Sequence, residues 1–236
     1  MAKKARRPER RAEALSRARI VEAAIELLDS EGEGGLTFRA LTTRLATGAG
    51  AIYWHLASKD ELLAAATDDV VAGVMNVASK KASPADAIRA VALGLFDAID
   101  AHPWVGAQLS REPGQAAMLE VFERFGVQLQ ALRVPERALF SVASTLVSYV
   151  LGVAGQNAAN ARHARDADRG ELLTTVAAKW AALDPETHPF VRRMAKQLRE
   201  HDDREQFLEG IDLVLAGIAR GLEPVRRRSR ASRMDP

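Results

Sequence analysis

The stretch that decides the fold runs from Leu36 to Leu63 and reads LTFRALTTRLATGAGAIYWHLASKDELL. Its pattern predicts two short helices joined by a tight turn at residues 46–48. The first begins after Thr37, an N-cap residue, and the second covers about residues 49–56, with Ile52 as its buried anchor. Two such helices braced by a preceding helix form a helix-turn-helix, whose second helix is narrow enough for the major groove. A three-helix corner packed for stability alone is the alternative interpretation.

The exposed chemistry of the second short helix favours contact with DNA. Its first turn consists of three nearly side-chain-free residues, Ala49, Gly50 and Ala51. The backbone at this positively polarised helix end can therefore approach a ligand closely. Tyr53, His55 and Lys59 follow, and their phenol, imidazole and ammonium groups are donors suited to phosphate oxygens.

This segment resembles the TetR family of bacterial transcription regulators. From Ala51 to Leu63 it matches the family's run of a small residue, an aliphatic residue, Tyr, any residue, His, an aromatic residue, two linkers, Lys, an acidic pair and Leu-Leu. The resemblance covers about residues 16–68. It implies an N-terminal DNA-binding domain, a C-terminal ligand-binding and dimerisation domain, and repression relieved by a small molecule. A regulator of the same fold that needs no ligand, or that activates, is the alternative.

The resemblance also assigns roles to residues. Tyr53, His55 and Lys59 stand where family members hold the phosphate backbone, and Arg39 stands where some members contact guanine from the preceding helix. The chain has Ala46-Thr47-Gly48 where the family usually has Gly-Val-Ser, but Gly48 can still act as a cap. Residues 49–51 leave only methyl contact with thymine, so base recognition would rest on Arg39, Thr42 and Thr43.

Charge is concentrated at the two ends of the chain. The net formal charge is +2, but residues 1–19 hold eight Lys or Arg against two Glu, and residues 225–236 hold five Arg against one Asp. We expect the arm that contains Arg6, Arg7 and Arg10 to contact phosphates or enter a minor groove. A solvated, disordered arm that aids solubility is the alternative.

The rest of the chain is predicted to be helical. Alanine accounts for 44 of 236 residues, and apolar residues recur at spacings of three and four. We expect eleven helices and the following division: a basic arm at 1–15, a helix-turn-helix domain at 16–68, a helical effector-binding and dimerisation domain at 69–222, and a basic tail at 223–236. The first helix, with Ser16 as its N-cap, should end at Gly32. A capping box of Ser58 and Glu61 opens the long fourth helix, which joins the two domains, and the eighth helix should loosen after about residue 159.

Sites in helical bundles lie between facing helices. Candidate contacts for an effector are the apolar and sulfur side chains of Phe96, Trp104, Met118, Phe122, Phe125 and Tyr149, and the polar side chains of His102, Gln108, Gln156 and Asn157. Each aromatic residue could instead belong to the core. The eighth and last helices carry small residues on apolar faces, so we expect them to pair with a second copy as a four-helix interface, with an internal core role as the alternative.

Other classes of protein fit the sequence poorly. The chain has no Cys, which excludes disulfides and thiolate metal sites, and its five His lack metal-ligand spacing. No phosphate-binding loop or nucleophile elbow is present, so we expect neither an enzyme nor a cofactor. No run of about 18 uninterrupted apolar residues and no signal pattern is found, which favours the cytoplasm. The basic arm lacks the apolar residues of a membrane anchor.

Overall fold

The computed structural model describes residues 15–77, 82–163 and 169–222. Within these residues it contains eleven α-helices and no strand, so the predicted all-α class is confirmed. The first four helices are α1 (Arg17–Gly35), α2 (Phe38–Leu45), α3 (Ala49–Tyr53) and α4 (Lys59–Val77). The others are α5 (Pro84–Ala101), α6 (Pro103–Arg111), α7 (Ala116–Ala131), α8 (Glu136–His163), α9 (Arg169–Ala181), α10 (Pro189–Glu200) and α11 (Asp203–Leu222).

Helices α1, α2 and α3 form a small unit around one apolar core. Ile20 and Leu27 of α1 are buried there, and α2 and α3 each contribute one fully buried anchor, Leu41 and Ile52. The Ile52 anchor was expected from the apolar spacing. Since α3 has a single buried side chain, the rest of this short helix stays at the surface.

Side-chain caps fix where the helices begin. The Ser16 hydroxyl accepts a hydrogen bond from the Arg19 amide at 3.3 Å, and the Thr37 hydroxyl accepts one from the Ala40 amide at 3.1 Å. Ser58 caps α4 by accepting from the Glu61 amide at 3.1 Å. The expected reciprocal bond differs by one residue, because the Glu61 carboxylate accepts from the amide of Ala57 rather than that of Ser58.

Three helix ends differ from the prediction. α3 ends at Tyr53 rather than near residue 56, because the His55 amide bonds to the Ile52 carbonyl, three residues back, and tightens the chain out of the α-helix. α1 was expected to end at Gly32; that glycine has a φ of 70°, but helical structure resumes after it. α8 continues through the polar segment after residue 159 to His163.

The larger helical unit is built around α5, α7 and α8. Leu95, Phe125 and Leu146 from these helices are fully buried. On one side of this core α11 packs against α5 and α8, and Phe96 stacks on Phe207 of α11 with ring centroids 4.6 Å apart. On another side α4 packs against α5, α6 and α7, so α4 connects the two units physically.

α8 is unusually apolar. The stretch Glu136–Ala161 is long and apolar enough to cross a membrane by length and composition, with a mean hydropathy of 1.7. We expected no such segment, because serine, threonine and glycine interrupt its apolar residues. In the structure α8 packs against α5, α6, α7 and α11, as the core helix of a soluble protein does, yet only 28% of its most apolar part is buried. The remaining residues are half-buried or exposed, and Phe140 is the large apolar residue among the exposed ones.

Candidate DNA-binding surface and effector domain

The turn between α2 and α3 sets the angle at which α3 is presented. Ala46 has a left-handed backbone with φ 49° and ψ 47°, and the Thr47 amide closes the end of α2 by bonding to the Thr42 carbonyl at 3.1 Å. Gly48 has φ −84° and ψ 148°, which any residue adopts. The left-handed residue is therefore the alanine at the family's usual glycine position, and Gly48 is not required by the backbone.

The outer face of α3 is open. Ala49, Gly50 and Ala51 are exposed, and a Cβ added at Gly48 or Gly50 would meet no atom within 4 Å. The predicted small-residue helix end is thus unobstructed, and its backbone is free to approach another molecule.

Tyr53 is held in place by α2. Its ring stacks on that of Phe38, with centroids 4.2 Å apart and planes at 17°, while 49% of the residue remains exposed. The stacking limits the rotamers of Tyr53 before any partner binds, so less conformational entropy is lost on binding. His55, by contrast, is half-buried.

Trp54 is the residue of this surface that the sequence analysis missed. It is 86% exposed, the highest value among the exposed large apolar residues described, and it directly follows α3. The motif places no constraint on this position, so the resemblance gave it no role. The sequence did contain an indication of this exposure. Ile52 anchors α3 to the core, and a residue two positions later lies on a different face of a helix, so the large indole of Trp54 is not directed into that core.

The candidate base-contacting residues lie on α2. Arg39 and Thr43 are exposed and Thr42 is half-buried. Both threonine hydroxyls donate to the carbonyl of Arg39, at 2.8 and 3.0 Å. Because their hydrogens are engaged, these hydroxyls offer lone pairs, which suit the amino groups of adenine or cytosine. Arg39 is the donor of this set.

Lys59 has a structural contact as well. Its ammonium donates to the carbonyl of Glu33 at the end of α1. An ammonium group has three hydrogens, so it can hold this carbonyl and still donate to a phosphate. The arm residues Arg6, Arg7 and Arg10 lie outside the described residues, and their contact with DNA stays a prediction.

Two acidic residues of α1 hold α6 at both ends. At its start, the Asp29 carboxylate accepts from the Trp104 indole at 2.8 Å and lies 2.8 Å from Nδ1 of His102. At its end, Arg111 donates to both oxygens of Glu33, at 3.1 and 3.3 Å. These hydrogen bonds, with the attraction between the charges, raise the pKa of Arg111. α6 is therefore tied to the helix that supports α2 and α3.

The candidate effector contacts are not gathered around one cavity. Five are buried in the core, namely Phe96, Trp104, Gln108, Met118 and Phe125. Phe122 and Tyr149 are partly buried against it, whereas Gln156 is exposed. Their role in binding an effector stays a prediction.

Several of these side chains make polar contacts to other parts of the chain. Besides His102 and Trp104, which contact Asp29, Asn157 donates to Asp100 at 2.9 Å. Tyr149 donates to the Phe207 carbonyl at 3.1 Å, and burial raises the pKa of its phenol. The two contacts link α8 to α5 and to α11.

A helix-turn-helix with aromatic and basic side chains on its outer face, joined by a long helix to a larger helical unit, defines a helix-turn-helix transcription regulator. The family model for bacterial regulatory proteins of the tetR family matches residues 20–66, and that for the tetracyclin repressor-like C-terminal domain matches residues 80–222. The chain belongs to the TetR family of DNA-binding transcription regulators.

Two solved structures from Streptomyces coelicolor are similar to this chain. The transcriptional regulator SCO7222, a TetR from Streptomyces coelicolor, is 55% identical over 87% of this chain and 98% of its own, with a TM-score of 0.81. ActR from the same organism, solved in complex with actinorhodin, is 22% identical over 89% of this chain and 97% of its own, with a TM-score of 0.74, and shares the fold.

One curated relative is the HTH-type transcriptional repressor DrrR1 of Streptomyces coeruleorubidus. It is 28% identical over 146 residues, which cover 58% of this chain and 51% of DrrR1. The chain spans about half, or less, of the length of the curated relatives that it matches.

Proposed function

We propose that the chain is a cytoplasmic homodimeric repressor that binds a palindromic or near-palindromic operator and leaves it when a hydrophobic, partly polar small molecule binds the helical unit. The observation that carries the DNA-binding half of this proposal is the open outer face of α3, where small residues expose the helix backbone beside Tyr53 and Trp54. DrrR1 is a repressor by name, and this supports repression over activation.

On DNA, each side chain of this surface has a distinct task. Tyr53, His55 and Lys59 hold phosphates, and Trp54 lies against the sugar-phosphate edge of the same groove. Arg39 contacts guanine, where a bidentate pair contributes about 1–3 kcal/mol of discrimination against the wrong base. Thr42 and Thr43 accept from base amino groups, and Ala49 and Ala51 offer methyl contact with thymine.

The DNA half of the proposal is tested by fluorescence anisotropy on a labelled operator and on a scrambled duplex of equal length. Tyr53→Phe should weaken binding to both duplexes nearly equally, because phosphate contacts carry no sequence information. Arg39→Ala should weaken binding to the operator about 5- to 100-fold more than binding to the scrambled duplex, as the loss of about 1–3 kcal/mol predicts. Equal losses on the two duplexes would remove Arg39 from base recognition.

The homodimer is supported by the apolar surface of α8 and α11. Phe140 is 77% exposed and Leu213 is 75% exposed, and both lie on these helices. Added Cβ atoms at Gly152, Gly155 and Gly217 would meet nothing within 4 Å, so a partner helix could approach there closely. A soluble monomer would expose this surface at a cost, and one helix-turn-helix binds only half of a two-fold site.

Release by a small molecule is supported by the attachment of α6. One face of α6 carries Trp104 and Gln108 into the core, while its ends are held to α1 by Asp29 and Glu33. A molecule that displaced Gln108 would move α6 and, through these contacts, the DNA-binding unit. It has to bind the displaced state better, because equal affinity shifts no population. ActR, which shares the fold, binds actinorhodin, and we propose a hydrophobic ligand with a polar edge here.

A further inference from the structure

A groove of about 510 Å³ lies where the two units of the chain meet, and we call it the junction groove. Its lining includes Ile25 of α1, His102, and residues of α4 among which are Asp69, Gly73 and Val74. α5 contributes a row of small residues, Ala90, Gly94, Ala98 and Ala101.

The groove exists because of these small residues. The positions 90, 94 and 98 are four apart and share one face of α5, and none of their side chains extends beyond Cβ. Gly94 also allows α4 to lie close: an added Cβ would be 2.6 Å from a methyl carbon of Val74. Larger residues on this face would fill the space or separate the helices.

The junction groove shares only His102 with the candidate effector contacts named above. Phe96 lies on the face of α5 that stacks against Phe207 of α11. Ala98, two residues on, is about 200° around the helix and lines the groove instead. The two sets of residues therefore lie on different faces of α5 and meet at His102.

The chemistry of the lining specifies the kind of ligand. Binding sites for small molecules usually measure about 300–1,000 Å³ and combine apolar walls with few polar groups. Here the walls are apolar, and the formally charged lining group is Asp69, an exposed carboxylate with no hydrogen-bond or ion-pair partner in the described part of the chain. His102 is bound through Nδ1 to Asp29, so a second carboxylate stands behind it. This lining complements a compact apolar molecule with one positive charge.

We infer that the junction groove is a second effector site, which takes a small hydrophobic ammonium compound with its charge at Asp69. This inference rests on the proposed function. A molecule in the groove contacts α1, α4 and α5 together and sits beside the His102–Asp29 contact. It spreads α1 from α5, which changes the spacing of the two DNA-binding units of a dimer and lowers operator affinity.

The test uses the full chain and a matched pair of probes, 4-phenylbutylammonium and its neutral counterpart 4-phenylbutanol, measured by isothermal titration calorimetry. We expect the ammonium to bind more tightly than the alcohol. Asp69→Asn should weaken binding of the ammonium about 2- to 5-fold, the range for an exposed charge pair, and leave binding of the alcohol unchanged. Equal binding of the two probes to the parent protein would overturn the inference.

A filling variant locates the probe. Gly73→Leu places a side chain in the groove, and its Cβ meets nothing within 4 Å, so the helix accepts it. We expect it to lower ammonium affinity at least 10-fold. Gly126→Leu on α7 is the control, because that glycine is also unobstructed but lies outside the groove, and it should bind the probe as the parent does. Equal binding to Gly73→Leu and the parent would place the probe elsewhere and overturn the inference.

The regulatory part is measured on DNA. Saturating ammonium should lower the operator affinity of the parent about 5-fold or more, and it should have no effect on Gly73→Leu. An unchanged affinity with a filled groove would overturn the effector role. This outcome is distinguishable from failure of the proposed function. If the proposed function were wrong, the protein would not bind an operator even in the absence of any probe.

Discussion

Ala46 lies at the tightest point of the turn between α2 and α3, where its φ is 49°. A left-handed backbone costs an L-residue about 1–2 kcal/mol, because Cβ approaches a carbonyl oxygen, whereas glycine adopts it freely. The residue persists there because the bonds from the Ala46 and Thr47 amides close the end of α2. These hydrogen bonds therefore keep Ala46 in a backbone conformation that alanine by itself disfavours.

Ala46→Gly should raise the free energy of unfolding by about 0.5–1 kcal/mol, the strain relieved less the extra entropy of glycine in the unfolded chain. Urea unfolding at fixed protein concentration measures it. Thr47→Gly is the control, since Thr47 does not have a positive φ, and it should destabilise. Destabilisation by both variants would show that Ala46 is not strained.

A side chain of the same protomer explains why position 210 of α11 is a glycine. An added Cβ would overlap the Tyr149 hydroxyl oxygen. The sequence left open whether the small residues of α11 face a partner or the core, and for Gly210 the structure shows contact within the chain. The Tyr149 ring also stacks on Phe207, with centroids 5.6 Å apart.

Gly210→Ala should lower the free energy of unfolding by about 1–3 kcal/mol, the usual cost of overpacking, because Tyr149 has to leave its bond to Phe207. Gly126→Ala, at an unobstructed helical position, should instead stabilise by about 0.5–1 kcal/mol. Urea unfolding distinguishes the two signs, and a stabilised Gly210→Ala would mean that Tyr149 moves aside without cost.

At the scale of the element, α4 fixes the start of α7. The Asp68 carboxylate accepts from the Ala117 amide at 3.0 Å and lies 3.5 Å from the side-chain nitrogen of Gln115. Gln115 itself makes no side-chain cap. The N-terminus of α7 is thus capped by a residue 49 positions earlier, and its positive end stabilises the carboxylate.

Asp68→Ala should lower the free energy of unfolding by about 1 kcal/mol, as the loss of a helix cap does. Asp69→Ala is a matched control one residue away, because Asp69 is exposed and has no partner among the described residues. It should change stability by less than about 0.5 kcal/mol. Hydrogen exchange at the first turn of α7 gives the local readout, and equal exchange in both variants would contradict the cap.

The contacts that were predictable from sequence are local ones. The caps by Ser16 and Thr37 and the anchor Ile52 follow from residues three or four apart, and all three were confirmed. Asp68, Asp29 and Gly210 act on residues about 50–75 positions away, and no local pattern indicates their partners. The early end of α3 was missed for a related reason, since the i,i+3 bond of His55 depends on backbone geometry rather than on residue type.

At the scale of the whole molecule, the apolar surface of α8 and α11 decides between a monomer and a dimer. Only 28% of the most apolar part of α8 is buried within one chain, and Phe140 is the exposed large apolar residue that the structure describes on this helix. Specific protein interfaces gain most from central apolar or aromatic side chains that lose water. If the surface is the dimer interface, a charge in it should be costly only to association.

Phe140→Glu should therefore shift the protein from dimer to monomer in sedimentation equilibrium and leave its helical circular dichroism unchanged. Operator affinity should fall at least 100-fold, because each monomer then contacts half a site without its partner. Leu119→Glu is the control, since Leu119 is 58% exposed and belongs to α7 rather than to α8 or α11, and this variant should stay dimeric. A dimer that survives Phe140→Glu at micromolar concentration, with operator affinity intact, would place the interface on another face of the molecule.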